Sequence, residues 1–174
     1  GLAQSVTCGS TPPESTQGSR MPMDFRKALP EELARLQQLA RDNIDTHYRG
    51  ILGNEGVDRF LDSGASDRYV EDNIEHCIVM DDGESSERIV GFAVCKQDLI
   101  AMLMVDIDRH REGIGSRLLQ HCEGELFRHH PQLRLESFEG NTRGNRFYKK
   151  NHWNLLQREN DSQSGVSKYI FVKR

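Results

Sequence analysis

Apolar residues along this chain recur with two different periods. Spacings of three and four residues predict amphipathic helices. These cover residues 30–47, 57–61, 113–129 and 142–150. Residues 66–74 are a candidate for a further short helix. Alternating or continuous apolar runs predict strands. These cover residues 24–28, 77–80, 88–96, 99–105, 133–138, 153–158 and 166–172. An Asp-Gly pair after the second strand favours a hairpin to the third. The element order is therefore β-α-α-β-β-β-α-β-α-β-β, which indicates the α/β (α+β) class.

Length, composition and charge point to one domain without a nucleic-acid partner. The chain has 174 residues, of which 36% are hydrophobic, enough for one sizeable core and too few for two. Its formal net charge is -4, and both signs are interspersed. It therefore lacks the clustered basic surface that binding to a phosphate backbone requires. No run approaches the roughly 20 apolar residues needed to cross a bilayer, so we expect no membrane partner.

The cysteines and histidines show no metal-binding pattern. Cys8, Cys77, Cys95 and Cys122 are widely spaced and form no Cys-x-x-Cys pair. They match neither a zinc site nor a dense disulfide framework, and we expect reduced thiols in a cytoplasmic protein. His121, His129 and His130 fall on one helix, but the His-Glu-x-x-His spacing is absent. We therefore expect no metal.

The first 22 residues differ from the rest of the chain. They are rich in Ser, Thr, Gly, Gln and Pro and have no hydrophobic period. Such a segment cannot bury enough surface to offset the entropy lost on ordering. We expect residues 1–22 to be a disordered tail or a remnant foreign to the native protein, since Met21 and Met23 are both candidate initiators. The folded domain is then residues 23–174.

The segment 105–119 has the pattern of an anion-binding loop. An apolar strand runs into a loop with Gly113 and Gly115 and continues directly into an amphipathic helix. Glycines let successive backbone N–H groups point at one spot, and the positive end of the helix dipole attracts a phosphate there. Arg109 and Arg111 would add positive charge. The alternatives are glycines that only relieve a tight turn, and a site for another phosphorylated ligand such as a nucleotide.

The same loop resembles the pyrophosphate-binding motif of the GNAT superfamily of acetyltransferases, Gln/Arg-x-x-Gly-x-Gly/Ala, with His110 at the Gln/Arg position. The resemblance implies that acetyl-CoA is the cofactor, and that the strand before the loop guides its pantetheine arm. It also implies a mixed, mostly antiparallel sheet of about seven strands flanked by four helices. The cofactor-binding residues would be Leu103, Met104, Val105, His110, Arg111, Glu112, Gly113, Ile114, Gly115 and Ser116.

A second segment, residues 133–153, resembles the family's strand-Asn-x-x-Ala-x-x-Phe-Tyr-x-Lys-x-Gly-Phe pattern. Asn141 falls on the Asn that contacts the cofactor, and Tyr148 on the Tyr that protonates the departing thiolate and also contacts the cofactor. Gly144 replaces the usual Ala, and His152-Trp153 replaces Gly-Phe. A phenol has an ordinary pKa near 10, above that of a thiol, so Tyr148 can donate a proton at neutral pH. The alternative is a structural helix aromatic.

Transfer of an acetyl group to an amine also needs a base, because the attacking amine must be neutral. Glu136 is the first candidate. It lies five residues before Asn141. The resemblance to the ribosomal-protein N-terminal acetyltransferases of this superfamily implies a catalytic Glu at that same offset. Alternatives are a Glu136 that faces solvent or pairs with an Arg, a water chain, and the weaker candidates Glu139 and Asp98.

The resemblance implies an N-acetyltransferase that acts by direct attack of a primary amine. A small-molecule amine, such as an aminoglycoside or polyamine, is favoured. The alternatives are a protein N-terminus or lysine as acceptor, and a module that senses acyl-CoA without turnover. A homodimer is left open.

Overall fold

The computed structural model describes residues 23–83, 88–110 and 112–174. Arg111 and the predicted tail, residues 1–22, lie outside the described residues. The strands are β1 Asp24–Lys27, β2 Cys77–Asp81, β3 Ile89–Lys96, β4 Leu99–Val105, β5 Leu133–Phe138, β6 Asn154–Asn160 and β7 Ser167–Lys173. The helices are α1 Leu33–His47, α2 Arg49–Leu52, α3 Asn54–Asp62, α4 Ala65–Asp72, α5 Ile114–Phe127 and α6 Thr142–Lys150. Short 3-10 turns cover Pro30–Glu32, Ile74–His76 and Ile107–Arg109.

The seven strands form one mixed sheet in the order β1-β2-β3-β4-β5-β7-β6. All neighbouring pairs are antiparallel except β4 and β5, which are parallel. The predicted fold class and the mostly antiparallel sheet are thus confirmed. Pairing between β4 and β5 is confined to Leu99 with Arg134 and Ile100 with Leu135. Beyond Ile100 the two strands separate, and a gap opens in the middle of the sheet.

Each face of the sheet has its own hydrophobic core. On one face, α1, α3 and α4 cover the sheet with a cluster that includes Leu36, Leu39, Val57 and Phe92. On the other face, α5 covers it with Leu118 and Leu119, joined by Trp153 and Phe171 among others. Most apolar positions of α1 and α5 are therefore buried, because a helix with one apolar stripe must pack that stripe on a sheet, whereas Phe60 of α3 is exposed.

The prediction of four helices was wrong in number. The described residues contain six, because the region between α1 and β2 holds α2, α3 and α4 rather than one helix and an optional second. Two glycines separate these helices: Gly53 and Gly64 have left-handed backbone angles, φ 83° and 81°, and each caps the start of a new helix. Left-handed angles cost glycine little. No helix among the described residues is long and apolar enough to cross a membrane.

Candidate active site

A cavity of about 580 Å³ lies at the gap between β4 and β5. Its walls come from the end of α1 and from α2, from the end of β4 and the loop that follows, and from the first turns of α5 and α6. The lining residues are Asn43, His47, Tyr48, Gly50, Ile51, Leu103, Met104, Val105, Arg109, His110, Gly113, Ile114, Gly115, Ser116, Gly140, Asn141, Thr142, Arg143, Gly144, Phe147 and Tyr148. The two segments that the sequence singled out therefore meet at one site.

The loop before α5 offers free backbone donors to this cavity. Gly113 has φ 76° and caps the 14-residue helix α5, and its carbonyl accepts the first helical bond, from the Arg117 N–H at 3.1 Å. Within the described residues, no hydrogen bond uses the N–H groups of Gly113, Ile114, Gly115 or Ser116. A helix N-terminus with unpaired amides and its positive dipole end favours an anion. The residues present therefore fit a diphosphate.

Gly115 lies where α5 packs closely against its neighbours. A Cβ placed there would lie 3.4 Å from Cζ of Phe147 on α6 and 3.8 Å from a methyl group of Val105 on β4. The first turn of α5 thus packs against both the strand and the helix that carries Tyr148. A larger side chain would fill the cavity or push α6 away.

His110 is held in one tautomer. Arg143 lies 3.2 Å from Nδ1 of His110, and because a guanidinium only donates hydrogen bonds, Nδ1 must accept. The hydrogen is then on Nε2, 3.1 Å from the carbonyl oxygen of Val105. That oxygen also accepts from Nδ2 of Asn43 at 2.9 Å. Both lone pairs of the Val105 carbonyl are therefore used. The backbone of Val105 can form a hydrogen bond with a cofactor only through its N–H group.

His47 stacks on His110 from α1, with ring centroids 5.1 Å apart and planes 13° from parallel. Its Nε2 atom is buried and has no hydrogen-bond partner in the described part of the chain. Burial is the main reason that the pKa of His47 lies below its ordinary value, and the charge that His110 would carry when protonated and the charge of Arg143 lower it further. His47 is therefore neutral near pH 7 and presents a polar atom to the cavity wall.

The other charged side chains of the loop form ion pairs. Arg109 donates to Glu112 at 2.9 Å and to Asp82 at 3.2 Å, so both acids neutralise its charge locally. Glu112 does not line the cavity, and its predicted role in cofactor binding rests on its backbone alone. The predicted contribution of Arg111 falls on a residue that the structure does not describe.

Asn141 caps α6 and keeps a free donor. Its Oδ1 accepts from the Gly144 N–H at 3.0 Å, while its Nδ2 has no partner among the described residues. A Cβ on Gly144 would come within 2.4 Å of that Nδ2. The glycine that departs from the family pattern therefore makes the space in which the Asn141 side chain lies. The free amide hydrogens can serve a carbonyl group of a ligand.

Tyr148 reaches the cavity from the second turn of α6. Its ring packs between Phe147 and Phe171, with centroids 5.3 and 5.8 Å away. No hydrogen bond within the described residues involves its hydroxyl. Burial, followed by the charge that Tyr48 would carry, raises the pKa of Tyr148 well above its ordinary value. The phenol is therefore protonated at neutral pH and has a proton to give.

Glu136 lies on β5 but does not line the cavity. Its side chain is 41% exposed, and Lys168 donates to its Oε1 at 2.9 Å. Leu133 and Leu135 of β5 belong to the core that α5 covers, so strand alternation directs Glu136 to the opposite face of the sheet. The ion pair that forms is with a lysine of β7, whereas the sequence suggested an arginine. A proton can reach Glu136 from the cavity only through water, and its role as a base stays a prediction.

The weaker base candidates are also paired. Glu139 accepts from Arg158 at 2.9 Å and from the Tyr169 hydroxyl at 3.2 Å. Asp98 pairs with Arg134 at 3.2 Å, at the end of β4 where the sheet is still closed. Across the described ranges, no group of three or more His, Cys, Asp or Glu side chains could hold a metal ion.

Sequence reasoning missed the wall formed by α1 and α2. His47, Tyr48, Ile51 and, on α6, Arg143 line the cavity, although no motif marks the first three. A side chain of α2 closes this wall, because Ile51 Cγ2 lies 3.5 Å from the place of a Cβ on Gly140. Arg143 lies inside a recognised segment, and its position two residues after Asn141 was the only available signal.

Comparison with known proteins agrees with this geometry. A family model described as the acetyltransferase (GNAT) domain matches residues 73–154. No curated protein is similar enough in sequence to count as a match. Among solved structures, a GCN5-related N-acetyltransferase from Rhodopseudomonas palustris has a TM-score of 0.73 at 18% identity, covering 88% of this chain and 96% of its own. The PaiA N-acetyltransferase of Thermoplasma acidophilum, solved with coenzyme A, has 0.70 at 20%, covering 88% and 99%.

A third structure, the NatC complex bound to Gag peptide and CoA, has a TM-score of 0.63 at 18% identity, with 87% of this chain and 98% of that chain covered. Fold and site together define an α/β protein with a split sheet, in which the N-terminus of a helix faces the cavity. The fold of this chain is the GNAT fold.

Proposed function

We propose that this protein is an enzyme that transfers an acetyl group from acetyl-CoA to a primary amine. The observation that carries the proposal is one cavity that joins the amides of residues 113–116 to the hydroxyl of Tyr148, none of which has a hydrogen-bond partner among the described residues. The amides would bind the pyrophosphate, and the N–H groups exposed at the open edge of β4 would hold the pantetheine arm. Acetyl-CoA supplies an activated acetyl group as a thioester.

The chain's residues would move two protons during the transfer. An N–C bond forms between amine and acetyl carbon, the C–S bond breaks, and its electron pair stays on sulfur. Tyr148 gives its hydroxyl proton to that sulfur, which leaves as a thiol. The amine loses one proton to water leading to Glu136, and the same water returns a proton to Tyr148. The products are the N-acetyl amide and CoA, and the protein ends as it began.

A small-molecule amine is the favoured acceptor. The cavity volume of about 580 Å³ is within the range of sites for small ligands, and the pantetheine arm must occupy part of it. The likeness to the NatC complex, which was solved with a Gag peptide and CoA, keeps a protein N-terminus as the second candidate. Cys77, Cys95 and Cys122 are free thiols, which supports a cytoplasmic protein.

The test is thiol release from acetyl-CoA with a panel of amines: polyamines, aminoglycosides, amino-acid amides and short peptides with free N-termini. Thermal shift with acetyl-CoA, CoA, ATP and NAD is the matching binding test, since a ligand at about 100 times its Kd adds roughly 2.7 kcal/mol. Acetyl-CoA and CoA should stabilise the protein, and ATP and NAD should not. Stabilisation by acetyl-CoA without thiol release on any amine would favour the sensor and contradict the enzyme.

The base is tested separately. Glu136→Gln should lower turnover most at low pH, because loss of the amine proton to water without Glu136 contributes least to turnover there. An unaltered pH profile would remove Glu136 from the reaction and leave the water chain as the base. Glu139→Gln is the control, because Glu139 lies near the same end of the sheet but is held by Arg158 and Tyr169.

A further inference from the structure

The gap in the sheet brings two tyrosines from opposite faces into one cavity. Tyr48 packs against the core that α1, α3 and α4 cover, and Tyr148 packs against the core that α5 covers. Both nevertheless line the same cavity, because β4 and β5 separate beyond Ile100. A thioester held in the gap would therefore have one phenol on each side.

The backbone and ring of Tyr48 are fixed. Its N–H donates to the Ile44 carbonyl at 3.1 Å, and its own carbonyl accepts from Ile51 at 3.0 Å and from Leu52 at 2.9 Å. The residue thus joins α1 to α2. The ring lies edge-on to Phe138 at the end of β5, with centroids 5.9 Å apart and planes at 85°. Its hydroxyl is consequently held in place before any ligand arrives.

The hydroxyl of Tyr48 has no partner among the described residues. The hydroxyl of a half-buried tyrosine usually has a hydrogen-bond partner. Burial raises the pKa of Tyr48, so the phenol remains protonated and can donate a hydrogen bond. Tyr48 and Tyr148 line the same cavity. The missing partner is then expected in the cavity, close to the group that Tyr148 serves.

We propose that Tyr48 is a further catalytic residue, whose hydroxyl donates a hydrogen bond to the carbonyl oxygen of the acyl group. The inference rests on the proposed function. The carbonyl oxygen gains negative charge as the amine attacks, and a fixed donor stabilises that charge. Tyr48 keeps its proton throughout, whereas Tyr148 gives its own to sulfur. The attacking amine is a poor partner for Tyr48, because a donated hydrogen bond would occupy the lone pair that must attack.

The experiment compares Tyr48→Phe with the wild type in binding and in turnover. The variant keeps the ring and its contact with Phe138, so the affinity for CoA, which has no acyl group, should stay unchanged in calorimetry. The affinity for acetyl-CoA should fall about fivefold, the effect of one hydrogen bond. The value of kcat should fall roughly 10²-fold, as for other donors to a developing oxyanion. Tyr69→Phe, on the same face but outside the cavity, should keep the wild-type ratio of the two affinities.

Three results would overturn the inference. These are wild-type turnover in Tyr48→Phe, an equal loss of affinity for CoA and acetyl-CoA, and the same change in Tyr69→Phe. The second would show that Tyr48 only shapes the wall. If the wild type acetylates no amine, the proposed enzyme fails, while the ratio of the two affinities still shows whether Tyr48 contacts the acyl group.

Discussion

The two walls of the cavity present different chemical groups. The wall formed by the N-terminal turns of α5 and α6 presents backbone N–H groups at residues 113–116 and short side chains such as Asn141. The facing wall, at the junction of α1 and α2, presents the side chains of His47, Tyr48 and Ile51. The first wall suits a ligand part that never varies, since backbone amides recognise any diphosphate. The second can differ between proteins without disturbing the first, and under the proposed function it would set acyl and acceptor specificity.

The difference predicts that changes on the first wall have the larger effects. Tyr148→Phe removes one oxygen from α6 and leaves the ring packing against Phe147 and Phe171. Turnover should fall roughly 10²- to 10⁴-fold, the usual contribution of a general acid. Cofactor affinity should remain at the wild-type level. Steady-state kinetics with calorimetry on the same preparation checks both, and an unchanged kcat would remove Tyr148 from its role.

Closing the first wall should weaken binding itself. In Gly115→Val the added methyl groups meet Phe147 and Val105, and such overpacking costs about 1–3 kcal/mol. If the protein avoids the strain by shifting the loop, CoA affinity should fall by roughly 5- to 150-fold. Gly124→Val is the matched control on the same helix, because nothing lies within 4 Å of a Cβ there. Equal losses of affinity in both variants would mean that helix propensity, and not the loop, is responsible.

A smaller effect concerns the space beside Asn141. Gly144→Ala gains helix propensity of about 1 kcal/mol but displaces the capping Asn141 side chain, which costs about 1 kcal/mol. The free energy of unfolding should therefore barely change. Gly124→Ala, with open space around it, should gain the full amount. Denaturant unfolding of both variants makes the comparison, and equal stabilisation would show that Asn141 is not displaced.

The smallest effect is expected from His47 on the second wall. Its pKa is lowered in the folded state, so between that value and the ordinary one the unfolded chain binds more protons. Stability from this group is complete above about pH 6.5 and declines as the pH falls below it. His47→Gln should therefore lose less stability than the wild type between pH 7.5 and 5. His129→Gln, which changes an exposed histidine, should follow the wild type; a His47→Gln curve parallel to the wild type would contradict the assignment.

The first wall could be predicted from the sequence because its function is encoded locally. Gly113, Gly115, Asn141 and Tyr148 lie in two short segments, each of which sets a turn and the helix after it. The second wall could not, because Tyr48 reaches the site only through the packing of α1 across the gap in the sheet. Likewise the short helix α2, which contains Gly50 and ends where Gly53 caps α3, was not predicted. Glu136 was placed on the right strand, but its partner Lys168 is remote in sequence and could not be foreseen.

The central claim is that the amides of residues 113–116 bind a diphosphate. Titration of ¹⁵N-labelled protein with CoA, followed by amide NMR shifts, tests this directly, with Gly124 as the internal reference on the same helix. We predict that the amides of Gly113 to Ser116 show the largest shifts, that the Gly124 amide shift does not change, and that in Gly115→Val the shifts of the other three amides need roughly 5- to 150-fold more CoA. Binding of CoA that leaves these four amides unmoved would contradict it.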